Sequence, residues 1–313
     1  MEASLYRVEQ FDCFNVFTRE DTKQFYHIEI NNSALFYKKL FEYFFSENFL
    51  LKYAENNSSV KFQPSNKNYV ILFNEIKLFI DEKNQFKSLS ELDAYLQQLM
   101  EDEGRLIDQD GKLGIYLDKI GKIGEYIFSC ILSQYFNFTC IIPKLHLVTD
   151  YNMSVYGIDT LFYSNEKDLL LFGESKVSKN ITNGINLINK SLNEYKKQIE
   201  DEFTLILSNR TLKNSLNVFT QKFGKIVEQC ISIEKFIKEA NIKNIGIPIF
   251  IAHGEEIDQD VIFEQLKKIK TTNFFDLNTE FYLITLPIVD KAAFTKEFTK
   301  FIKEKEDEYK RTV

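Results

Sequence analysis

The run Leu169-Leu170-Leu171-Phe172-Gly173-Glu174-Ser175-Lys176-Val177 constrains this chain more than any other segment. It reads as a strand, and side chains two apart in a strand share a face. Leu170, Phe172, Glu174 and Lys176 therefore form one face that begins apolar and ends in a carboxylate and an ammonium. Burying an unpartnered charge costs several kcal/mol, roughly, so ionisable residues on a core-facing strand mark a functional site or a salt bridge.

The preceding segment, Gly157 to Tyr163, also reads as a strand, and Ser164-Asn165-Glu166-Lys167-Asp168 reads as the turn of a hairpin. With Glu166 and Lys167 at the tip, the register pairs Tyr163 with Leu170, Leu161 with Phe172, and Asp159 with Glu174. A bulge or a different loop would shift it. In that register two carboxylates face each other within about 6 Å, which is destabilising unless a cation lies between them.

Two carboxylates from neighbouring strands with a lysine beside them make a hard-ligand site suited to Mg2+ or Mn2+. Such a site implies metal-assisted hydrolysis of a phosphodiester, with Lys176 orienting water or stabilising charge on the phosphate. The plain alternative is a salt-bridged triad. Glu125 precedes this region in Gly121-Lys122-Ile123-Gly124-Glu125, at the edge of the polar arc of a helix. It reads equally as a surface carboxylate or as a contributor to the site.

These residues together resemble the PD-(D/E)xK, or restriction-endonuclease-like, nuclease superfamily. The likeness rests on Gly157-Ile158-Asp159 and Glu174-Ser175-Lys176 on consecutive strands, after Glu125 on a helix. Ile158 stands where the superfamily's name has Pro. Within it, Gly121-x-x-Gly124-Glu125, Gly157-Ile158-Asp159 and Gly173-Glu174-Ser175-Lys176 look like the nuclease subunit of the Hachiman antiphage-defence system. The resemblance implies that Asp159, Glu174, the Ser175 backbone carbonyl and Glu125 serve the metal. It further implies that Lys176 is catalytic, that DNA is the substrate, and that a co-encoded helicase or ATPase subunit is the partner. A second reading keeps the nuclease fold as a silent module that binds nucleic acid or a partner protein.

The order along the chain agrees with an α/β fold, a mixed central sheet flanked by helices. Helix Ile115 to Phe136 is followed by strands Thr139 to Leu147, Gly157 to Tyr163 and Leu169 to Val177. Next come helices Ile185 to Phe203 and Leu212 to Ala240, strand Ile245 to Ala252, helix Val261 to Lys270, strand Phe281 to Ile288 and helix Lys291 to Tyr309. The αβββαβ order within this series is that of a restriction-endonuclease-like core. Ahead of it lie a strand at Phe25 to Ile30, a Phe-rich helix at Ala34 to Ala54, a strand or hairpin at Tyr69 to Ile80 and a helix at Leu89 to Met100. Turn residues between Glu103 and Gly114 set the boundary, giving an N-terminal α+β extension over 1–112 and a nuclease domain over 113–313. The Phe36, Leu40, Phe44, Leu51 stripe is core by default and a partner-docking face otherwise.

The net charge of −7 argues against a protein that coats nucleic acid by bulk attraction. Between Glu174 and Lys225, however, nine basic residues outnumber five acidic ones. Charges interrupt the longest apolar stretch, so no membrane association is expected, and the N-terminus has no signal pattern. These features point to the cytoplasm. Cys13, Cys130, Cys140 and Cys230 lack metal-ligand spacing and read as reduced structural residues, and His27, His146 and His253 read as isolated. Asp108-Gln109-Asp110-Gly111 reads as a turn, since Leu106 and Leu117 occupy the positions of a calcium loop's outer ligands. The P-loop pattern is absent, so any ATP-driven motor belongs to another chain.

Overall fold

Asn244–His253 is buried at nearly every position, as a strand must be when helices cover both of its faces. In the computed structural model it lies inside an eight-stranded sheet of order β1-β2-β3-β10-β9-β8-β7-β6. The strands of this sheet are β1 (Arg7–Phe11), β2 (Phe14–Glu20), β3 (Gln24–Ile30), β6 (Thr139–Pro143), β7 (Thr160–Ser164), β8 (Leu169–Ser178), β9 (Asn244–His253) and β10 (Asn278–Pro287). The four central strands β3, β10, β9 and β8 run parallel, and antiparallel neighbours extend the sheet on both sides.

The structure describes residues 6–20, 23–44, 105–107, 114–116, 120–143, 160–208, 218–227, 229–230, 232–255 and 257–287, with positions 304, 307, 308 and 311. The expected elements at Tyr69 to Ile80, Leu89 to Met100 and most of Lys291 to Tyr309 lie outside them. So do the Asp108 to Gly111 turn and His146.

The chain divides into two compact units. Met1–Asn31 and Gly124–Pro287 form one, and Asn32–Ile123 with Ile288–Val313 form the other. The second unit contains α1 (Ser33–Phe44), capped where the Asn32 side chain accepts from the Leu35 amide at 3.0 Å, and a ribbon of β4 (Arg105–Ile107) and β5 (Gly114–Tyr116). The eight-stranded sheet thus draws on both sides of the boundary expected at 112/113. The first three strands join it because β3 pairs with β10 from Tyr282↔Gln24 to Thr285↔His27.

In the first unit, α3 (Ile181–Leu192), α4 (Tyr195–Ser208), α6 (Ile233–Glu239) and α7 (Gln259–Leu266) cover one sheet face. That face carries Leu170, Phe172, Ile245, Ile247, Ile249, Ile251 and Leu283. α5 (Val218–Val227) adds Phe223, edge-on to Tyr163 and Phe236. The opposite face receives α2 (Ile120–Gln134), where Phe128 stacks on Phe250 at 5.5 Å and Gly124 meets Val177.

The αβββαβ order appears as α2-β6-β7-β8-α3-β9, with three further helices before β9. The α/β class and mixed sheet are as expected. Several boundaries differ. Gly114–Tyr116 is a strand, because Ile115 pairs with Leu106, so α2 begins only at Ile120. The helix expected from Ile185 to Phe203 is two helices that turn at Asn193 and Glu194. Its apolar spacing runs unbroken through buried Ile188, Leu192, Tyr195 and Ile199, which hides the turn. Among the described residues, the one expected from Leu212 to Ala240 gives two, α5 and α6, and Ser232 caps α6 by accepting from the Lys235 amide at 3.3 Å.

α3 approaches β8 and β9 closely through Gly184. A Cβ there would lie 2.5 Å from Ile251 Cγ2 and 2.8 Å from Ser178 Oγ. Gly184→Val is expected to cost about 1–3 kcal/mol through overpacking. Urea unfolding would measure it, and an unchanged midpoint would contradict the close helix–sheet contact.

Candidate functional site

The hairpin that leads into the site has the expected register. Leu161 pairs with Phe172 and Tyr163 with Leu170. Its tip is tied down: Tyr163 Oη donates to Asp168 Oδ1 at 2.6 Å, and Lys222 Nζ donates to the same oxygen at 2.6 Å and to Tyr163 Oη at 2.7 Å. Lys222 first, and then the tyrosine, hold the Asp168 carboxyl below its ordinary range. Asp168 adopts a left-handed φ of 49°, which the short Asp side chain tolerates in a turn. β8 is thereby anchored at its start. The described pairing of β7 ends at Thr160↔Gly173, and Asp159, with Gly157 and Ile158, lies outside the described residues.

One step further along β8 stands Glu174, only 1% exposed. Its Oε1 accepts from Lys176 Nζ and from Ser191 Oγ, the latter at 2.7 Å. Lys176 lies on the same face, and its side chain is 30% exposed, so the ion pair has one buried and one accessible end. A carboxylate this deep is stabilised by charge-assisted hydrogen bonds. Both oxygen contacts fix its orientation from the Oε1 side. Sequence reasoning missed Ser191. The signal was its place in the last turn of α3, beside Leu192 and one turn beyond Ile188 on the buried stripe.

The structure joins Glu174 to Lys176, and Glu125 stands on α2. Glu125 is half-buried on α2, next to Gly124, whose position meets Val177 on the opposite sheet face. The sheet therefore lies between that helix and the ion pair. Ser175 is buried between Glu174 and Lys176, and alternation along β8 turns its side chain toward the α2 face. Its backbone carbonyl is the group of interest. Carboxylate and carbonyl oxygens are hard donors of the kind Mg2+ and Mn2+ prefer. Among the described residues no three His, Cys, Asp or Glu side chains come together.

Two histidines occupy the same sheet face. His27 Nδ1 lies 2.9 Å from Thr285 Oγ1, and the Glu29 carboxylate is 3.6 Å from its Nε2. Burial, reinforced by His253, holds His27 down at about 3. His253 ends β9 fully buried, and its Nδ1 accepts from the Glu255 amide at 3.4 Å. Burial outweighs Glu255 and lowers it to about 4. Both rings are neutral in the folded protein at neutral pH. Burial likewise pushes the Cys130 thiol up to about 12, consistent with a structural cysteine.

The fold is an α/β one whose central strand β8 carries a buried carboxylate and a partly exposed lysine two residues apart. The HamA family model matches residues 9–302. The chain belongs to this family, the nuclease-like subunit of the Hachiman antiphage-defence system. Comparison with curated proteins and with solved structures gives no match. Among the described residues no helix is long and apolar enough to cross a membrane.

The histidines generate a pH prediction. Unfolding raises each from about 3 or 4 toward the ordinary 6.5, so the unfolded chain binds more protons below pH 6.5. Stability contributed by the neutral rings is complete above pH 6.5 and falls as pH drops toward 4. The limit is about 1.4 kcal/mol per pH unit for each ring. Denaturant midpoints between pH 7 and 4.5 should therefore fall less steeply for His253→Asn than for the wild type, and equal slopes would contradict this.

Proposed function

We propose that this chain is a metal-dependent nuclease that hydrolyses DNA phosphodiester bonds and acts beside a helicase or ATPase subunit in Hachiman defence. The carrying observation is the buried Glu174 carboxylate, oriented by Lys176 and Ser191 on a strand whose hairpin register has the predicted pairs. Continuing that register by one step is our basis for assigning Asp159 as the second carboxylate. Asp159, Glu174 and the Ser175 carbonyl would hold Mg2+ or Mn2+. Glu125 is left out of this ligand set, because its helix packs on the other face of the sheet.

A bound divalent cation would supply Lewis-acid polarisation of the phosphate and lower the pKa of a coordinated water. The chain's own residues supply orientation. Glu174 holds Lys176 at the accessible edge of the pair, where the ammonium can steady the attacking water and offset charge growing on the phosphate oxygens. In the overall reaction the water oxygen bonds to phosphorus, the bond to the leaving sugar oxygen breaks, and one proton moves from water to that oxygen. Ser191 acts as a positioning residue through Glu174.

A second reading has an observation in its favour. Glu174 is deeply buried and satisfied through Oε1, as a structural ion pair would be. In that case the fold would bind nucleic acid or a partner without turnover.

Cleavage of plasmid and linear DNA by the purified chain separates the two, with and without its co-encoded neighbour and ATP, in Mg2+, Mn2+ or EDTA. The nuclease reading expects metal-dependent cutting that falls about 100- to 1000-fold in Lys176→Ala and in the near-isosteric Glu174→Gln. Undiminished cutting in both variants would reject the site. No cutting under any condition would favour the binding module.

A further inference from the structure

α3 turns Ser191 inward to Glu174 while the residue before it, Lys190, is exposed. Its outer surface has an unusual composition for this chain. With 46 acidic residues in 313, an acid recurs at about every seventh position, yet none occurs in 179–193 or in 265–275. The fold lays these two acid-free segments side by side. Asn189 stitches them together, its Nδ2 donating to the Lys268 carbonyl at 3.2 Å and its Oδ1 accepting from the Lys270 amide at 2.8 Å.

Lys190, Lys268 and Lys270 are all exposed around this junction, and Asn183 and Asn186 continue along the same outer side of α3. Among the described residues Lys190 and Lys270 have no carboxylate within ion-pair distance, and Lys268 meets only the neutral Gln265 amide at 2.7 Å. The flanking acid, Glu264, is engaged by Lys267 at 2.6 Å and by Arg19 at 3.4 Å. Lysines without a carboxylate partner among the described residues, interleaved with amide donors and cleared of acids, suit a regular polyanion. The rest of the molecule is acidic overall and does not.

We propose that the outer side of α3, with the 268–270 segment, is the surface on which the phosphate backbone of duplex DNA is held. This deepens the nuclease reading and rests on it. The helix is about 10–12 Å across with side chains, so the surface backs onto the Glu174–Lys176 pair through a single helix. Lysine contacts to phosphate carry no sequence information, so binding there is independent of sequence.

The test is fluorescence anisotropy of a labelled 30-base-pair duplex with the full chain in EDTA, across a salt series. The triple variant Lys190→Glu, Lys268→Glu, Lys270→Glu is compared with a control reversing exposed Lys235, Lys238 and Lys243. Circular dichroism checks folding, and Lys→Gln versions replace any variant that fails. The expected result is a loss of affinity of about tenfold or more in the triple variant. With Lys→Gln, the slope of log K against log salt should become shallower by about two to three, at 0.9 per phosphate contact. The control should bind like the wild type. Equal binding by the triple variant, equal loss in the control, or no duplex binding by the wild type overturns the proposal. Loss of binding in the triple variant, together with undiminished cutting by Glu174→Gln, would leave the surface standing and reject the catalytic assignment instead.

Discussion

A carboxylate in the interior of a doubly covered sheet must be compensated, and the arrangement around Glu174 follows from that requirement. Desolvation of the charge opposes folding, and the ammonium of Lys176 and the hydroxyl of Ser191 offset it from one oxygen. Ser191 reaches that oxygen only because α3 lies close on β8 and β9. Gly184 permits the approach, since a side chain there would meet Ile251 and Ser178. The carboxylate, the helix and the parallel sheet centre therefore constrain one another, and Lys176 is left with its charged end at the accessible edge.

Family membership and this geometry bear on different parts of the account. Membership in HamA ties the chain to Hachiman antiphage defence. The geometry supplies what a family assignment does not, namely which described residues stand together. Glu174, Lys176 and Ser191 do, and the helix that carries Glu125 packs on the other face of the sheet. Asp159, which the metal reading needs, lies outside the described residues.

The β7–β8 hairpin was legible in the sequence because alternating apolar residues and a polar turn specify register, and a slip by one residue would invert every side chain. The placement of Glu174 and Lys176 on one face followed from the same alternation. The hairpin of β1 and β2 is not legible in the sequence, although Val8 lies between polar Arg7 and Glu9 and Asp12 supplies a left-handed turn position at φ 54°. Its pairing with the rest of the sheet depends on β3 meeting β10, some 258 residues away, and no local pattern encodes that contact. The turn between α3 and α4 is hidden in the sequence because both helices bury residues at one continuous spacing. Ser191 was missed because a serine beside an apolar stripe declares its partner only once the sheet beneath it is known.

The most direct measurement is the effect of Mn2+ on the thermal unfolding of the wild type, Asp159→Ala and Glu174→Gln. A site made by both carboxylates stabilises the folded wild type by about 2.7 kcal/mol when the metal is present at 100 times its dissociation constant. Tm is expected to rise for the wild type and for neither variant. An equal rise in all three proteins, or none in the wild type, would contradict a metal centre at Asp159 and Glu174.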